Sequence, residues 1–147
     1  MSASTVPAAL DGLVAVLSAS AALRGVQIFD GQPTTDTPKD FIAVGFSEDG
    51  PAVSFDHSPA GLGNARRAET FDITCVVSSW NGGTNAATVR NRAFAMFSAC
   101  EAAIRAGGTL NASVLFAQVV QGSVTQMQTD QGAVCDVEFS VSVESRI

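Results

Sequence analysis

Asp56-His57-Ser58 sets a carboxylate, an imidazole and a hydroxyl side by side, the groups that hydrolases use as orienter, base and nucleophile. Three consecutive residues cannot align in that order, and no G-x-S-x-G elbow is present to expose a serine. His57 is the sole histidine, and Cys75, Cys100 and Cys135 are widely spaced in apolar surroundings, so no CxxC or HxxxH nucleus exists for zinc. The three cysteines read instead as small buried hydrophobes. Asp136, Glu138 and Glu144 share a period of two, which brings them to one face of a strand, where solvating charges ordinarily sit; nothing marks them as a glycosidase pair. Gly61-Leu62-Gly63-Asn64 and Gly82-Gly83 lack both the Gly-Lys-Ser/Thr of a phosphate loop and the full G-x-G-x-x-G. The expectation is no catalytic residue, no cofactor, no metal, and no enzymatic activity.

What remains is the chemistry of contact. Trp80 stands at the end of an alternating segment beside Asn81-Gly82-Gly83, and Arg66-Arg67 is the only adjacent basic pair. Aromatic and arginine side chains dominate interface hot spots. Phe55, His57, Arg66, Arg67 and Trp80 are therefore the candidate subunit or partner contacts, the first four within one irregular stretch, residues 47–67. That stretch holds two prolines, three glycines and charges of both signs, and it reads as a long loop, which is uncommon unless it has a task or is disordered.

The elements that must carry these residues follow from periodicity. Residues 5–24 place Leu10, Leu13, Val14 and Leu17 at helical spacing, with Ser4 or Thr5 as cap, Pro7 in the first turn, Gly25 as stop, and Ser18 and Ser20 as points where the helix breaks. Short strands are expected at 26–31 and 41–46. Residues 69–80 alternate, with Phe71, Ile73, Cys75 and Val77 on one face. A second helix spans 84–106, its apolar stripe running from Ala86 through Val89, Ala93, Met96 and Cys100 to Ile104, and Gly107-Gly108 stops it. Two long strands close the chain at 114–124 and 133–145, joined by a polar turn around residues 129–132. One-sided alternation of this kind belongs to antiparallel sheets. The expected fold is α+β, a single domain over residues 1–147, with a mostly antiparallel sheet of about four to five strands and two main helices on one face.

Composition narrows the function further. The chain has 147 residues and a net charge of −6, with one lysine and seven arginines, which does not suit a dedicated duplex-binding surface. A weakly repulsive surface would suit a passage through which DNA slides. Although 46% of residues are hydrophobic, no run approaches the ~18 apolar residues of a membrane span. No basic residue precedes the first mildly apolar stretch, and Asp11 interrupts it, so no secretory signal is expected and the protein is expected to stay in the cytoplasm until assembly.

Read in order, VQIFDG after the first helix, FDITCVVSSW, TVRNRAFAMFSACEAAIRA and SVLFAQVVQGSVTQMQTDQGAVCDVEFSVSVESRI give a chain that resembles the tail terminator (tail completion, head-tail joining) proteins of long-tailed bacteriophages over nearly its whole length. The resemblance implies an α+β virion protein without an active site. It also implies a ring, expected to hold six subunits, that caps the tail tube, stops its polymerisation and meets the head-side connector. Its partners would be further copies of itself, the tail tube protein and the connector or stopper protein. DNA would pass through without sequence-specific binding, no membrane would be involved, and assembly in the host cytoplasm would end in the virion neck. Two alternatives are another neck or minor tail adaptor and a small dimeric α+β module that binds a ligand. The latter would need an open apolar pocket on the sheet.

Overall fold

The computed structural model describes residues 3–34, 38–61 and 66–147. Its elements are helix α1 (Val6–Ser18), a single 3-10 turn (Ala21–Leu23), strands β1 (Gln27–Asp30), β2 (Asp40–Val44), β3 (Val53–Pro59) and β4 (Arg67–Trp80), helix α2 (Ala86–Ala106), and strands β5 (Phe116–Thr129) and β6 (Gly132–Arg146). The six strands form one sheet in the order β1-β2-β4-β6-β5, with β3 also pairing β4. All pairings are antiparallel except β1 with β2.

Alternation decides which face is covered. Phe71, Ile73, Cys75 and Val77 of β4, together with Cys135, Val137, Phe139, Val141 and Val143 of β6, are buried beneath the helices. Leu13 and Leu17 of α1, and Val89, Ala93, Cys100 and Ile104 of α2, close the core from above. The opposite face carries Asp72, Thr74, Ser140, Ser142 and Glu144, as one-sided alternation requires. All three cysteines are buried. Burial pushes the Cys75 and Cys100 thiols up to about 12 and raises Cys135 as well.

Two expectations are corrected and a third is narrowed. The stretch 47–67 is not one long loop: Val53–Pro59 forms β3, paired with Arg67–Ile73 of β4. Period-two burial fails as a signal there, because Phe55 is left mostly exposed and β3 is held by backbone pairing to β4. The sheet accordingly has six strands, above the four to five expected. Of the two cap candidates for α1, Ser4 is the one whose side chain serves the helix start. Thr5 occupies the cap position without a side-chain cap bond, although Ser4 Oγ accepts from the Val6 N–H at 3.0 Å. Residues 62–65, which include Leu62, Gly63 and Asn64 of the glycine-rich tetrapeptide, and residues 35–37 lie outside the described residues.

Candidate functional site

His57 lies on β3, and strand geometry turns Asp56 and Ser58 to the opposite face from it. The tripeptide therefore does not converge. The partner of His57 is Glu69, directly across in β4: Nε2 lies 2.7 Å from Oε2. Glu69 is fully buried, and both of its oxygens are engaged. Oε2 also accepts from Ser4 Oγ at 2.6 Å, while Oε1 accepts from the Thr5 N–H and from Thr5 Oγ1, each at 2.7 Å.

Burial alone would raise this carboxyl, but the hydrogen bonds from Ser4, the Thr5 backbone, the Thr5 hydroxyl and His57 outweigh it and hold Glu69 down at about 2. An ionised carboxylate also suits its position at the start of α1, where unpaired N–H groups concentrate positive potential. Glu69 is thus a clamp that ties the first helix to the far end of the sheet, and a carboxylate so fully engaged is a poor proton acceptor. Sequence reasoning passed over it, although a signal was available: Glu69 is in phase with Phe71, Ile73 and Cys75, the apolar face, where a lone carboxylate requires partners.

The remaining candidates fall into two places. Arg66 and Arg67 are exposed at the β3–β4 corner; Phe55, which is 56% exposed, lies further along β3, opposite Phe71 and four residues along the strand from the level of Arg67. The Arg67 backbone exchanges hydrogen bonds with Ile147, so the chain's last residue is fastened at the same corner. Trp80 stands at the other end of β4, about 40 Å away at the rise of an extended strand. It is half-buried, its Nε1 donates to the Pro38 carbonyl at 3.2 Å, and Lys39 Nζ lies 6.0 Å from its ring centroid. The indole thereby fastens the segment entering β2.

On the helix-free face, Ser47 Oγ donates to Glu138 Oε1 at 3.2 Å. Residues 46–50 lie along that face, and Glu48, Asp49, Asp136 and Glu138 are crowded together. Burial, then the charges of Asp136, Asp49 and Glu138, raise Glu48; burial raises Asp136, with a Ser78 hydrogen bond opposing it. Among the described residues, no group of three or more His, Cys, Asp or Glu is arranged to hold a metal ion, and no helix is long and apolar enough to cross a membrane.

No family model matches the chain, and no curated protein matches it. A solved structure does. A chain in the virion of a native gene transfer agent particle superposes with a TM-score of 0.63 at 15% identity, over 98% of this chain and 100% of that one. At this identity the likeness is one of fold, and it runs end to end over both chains.

Proposed function

We propose that this chain is a non-catalytic structural protein of a phage-like virion, and more narrowly the ring subunit, with six copies expected, that caps the tail tube, ends its polymerisation and joins the tail to the head-side connector. The observation that supports the broader reading, a virion structural protein, is the end-to-end fold likeness to a chain of a gene transfer agent virion. The narrower reading rests on the resemblance of the sequence to tail terminators. The clamped, saturated Glu69 and the divergent Asp56, His57 and Ser58 favour a scaffold over a reaction centre.

A closed ring needs two different patches that meet around a rotation axis. The corner carrying Phe55, His57, Arg66 and Arg67 and the opposite end carrying Trp80 are the proposed contacts with a neighbouring subunit or with the tube. The helix-free face, with Asp72, Asp136, Glu138 and Glu144 among serines and threonines, suits a passage for DNA without sequence-specific binding. The place of action is then the virion neck, after assembly in the host cytoplasm.

The test is tube length. Tail tube protein polymerised with increasing amounts of this protein is expected to give shorter tubes bearing a ring at one end in electron micrographs. Rings at tube ends with no effect on length would instead favour a neck or minor tail adaptor. Absence of any binding, with a small molecule retained by the purified protein, would favour the ligand-binding module.

A further inference from the structure

Strand β5 is an edge: β6 pairs it on one side, and no described residue pairs it on the other. It is 14 residues long, and among the six strands it alone has no ionisable side chain. Natural edges of such length are ordinarily blunted with lysine, proline or inward-pointing charge, because unpaired N–H and C=O groups recruit further strands. This edge has none of those three, and its one irregularity is the bulge between Val119 and Gln121. It is also where apolar side chains are left in solvent: of the seven exposed large hydrophobic residues described, Phe116, Val120, Val124 and Met127 lie on β5 and Leu115 immediately before it. A sixth, Phe94, lies one turn along α2 from Arg90, which reaches β5 by donating to Gln126 Oε1 at 3.1 Å.

We propose that β5 pairs antiparallel with β5 of a second copy of this chain, making a two-fold dimer with a continuous twelve-stranded sheet. The argument for this occupant is self-complementarity. The bulge between Val119 and Gln121 shifts the alternation, so that Phe116 and Met127 lie on the helix-free face, opposite Glu144 and Val134, while Val119 and Val124 lie on the covered face, opposite Val141 and Val137. An antiparallel pair matches residues of the same face. Setting Phe116 against Met127 of the second copy puts Val119 against Val124 in the same register, and the symmetry repeats both contacts. The centre falls beside Gly122, where no side chain obstructs the second strand. Two copies that each carry a charge of −6 repel, and the uncharged strand is where they approach at least cost. The dimer is independent of the ring reading and describes the protein free in solution.

The experiment mixes two single variants, Phe116→Cys and Met127→Cys, under mild oxidation. Cys75, Cys100 and Cys135 are buried and remain silent. The mixture is expected to form a disulfide-linked dimer, and neither variant alone is, because like positions lie about 36 Å apart along paired strands. In parallel, the wild type is expected to have twice the 15.1 kDa chain mass by light scattering, and Val124→Lys to raise the dimer's dissociation constant at least about tenfold while keeping its circular dichroism. A monomeric wild type at every concentration, or oligomers without the mixed disulfide, would overturn the proposal. Neither result bears on tube capping, which is scored separately by tube length.

Discussion

Glu69 shows how one side chain can tie distant parts of the chain together. Replacing it with alanine leaves the Thr5 N–H, two hydroxyls and His57 without their shared acceptor, with an expected loss of about 3 kcal/mol in urea unfolding. Glu69→Gln keeps the shape and loses the charge, at a cost of roughly 1 to 2 kcal/mol. Acid should abolish most of that difference. The folded carboxyl titrates at about 2 and its ordinary value is 4.5, so the unfolded chain binds the proton more readily and the clamp's contribution is complete above pH 4.5. It is lost as pH falls towards 2. A wild-type advantage over Glu69→Gln that stays flat across that interval would contradict the clamp. Asp136 has the opposite sign: its raised pKa makes the ionised form a burden at neutral pH. Asp136→Asn is therefore expected to gain roughly 0.5 kcal/mol at pH 7 and nothing in acid, by the same unfolding measurement. The cysteines were legible as buried from their apolar setting, and a thiol reagent should find all three unreactive until the protein unfolds.

At the scale of elements, the seating of α1 depends on a close approach. A Cβ on Gly12 would stand 2.0 Å from the Leu110 carbonyl oxygen, so Gly12→Ala must lift the helix off the turn that follows α2, at an expected cost of about 2 to 4 kcal/mol in thermal or urea unfolding. That turn carries Leu110, Asn111 and Ala112 in succession at φ of 47°, 62° and 64°. Left-handed backbone is costly for alanine, and exposed Ala112→Gly should stabilise by about 1 kcal/mol, raising Tm by about 3 °C. Both helices, β6 and the covered face of β4 were legible because their apolar residues keep a clean period of 3.6 or 2, whereas β5 was legible only to residue 124: it runs on to Thr129, its bulge breaks the alternation, and most of it is exposed. Strand β3 was not legible, since Val53, Phe55 and His57, although on the same face as Ile73, Phe71 and Glu69, lie at the margin of the sheet where they are left partly or mostly exposed, and its pairing to β4 is a backbone property. The α1 clamp was hidden for a related reason: it joins Ser4 and Thr5 to a residue more than sixty positions away.

For the molecule as a whole, periodicity gives the sheet and its covered face, whereas the arrangement of its edges appears only once strand order is known. Phe55, His57, Arg66 and Arg67 share one stretch of the sequence and lie towards one end of the β3–β4 pair, but Trp80 falls at the far end of β4 and fastens its own chain. That separation suits a subunit with different contacts at its two ends, which is what a ring between tube and connector requires. The most direct measurement is the mass, by light scattering, of the complex formed when the protein is mixed with short purified tail tubes, followed by imaging of the tube ends. The account predicts an added mass of six times the 15.1 kDa chain per capped end, visible as a ring. A protein that stays a monomer or dimer, and neither binds tube ends nor limits tube length, would contradict it.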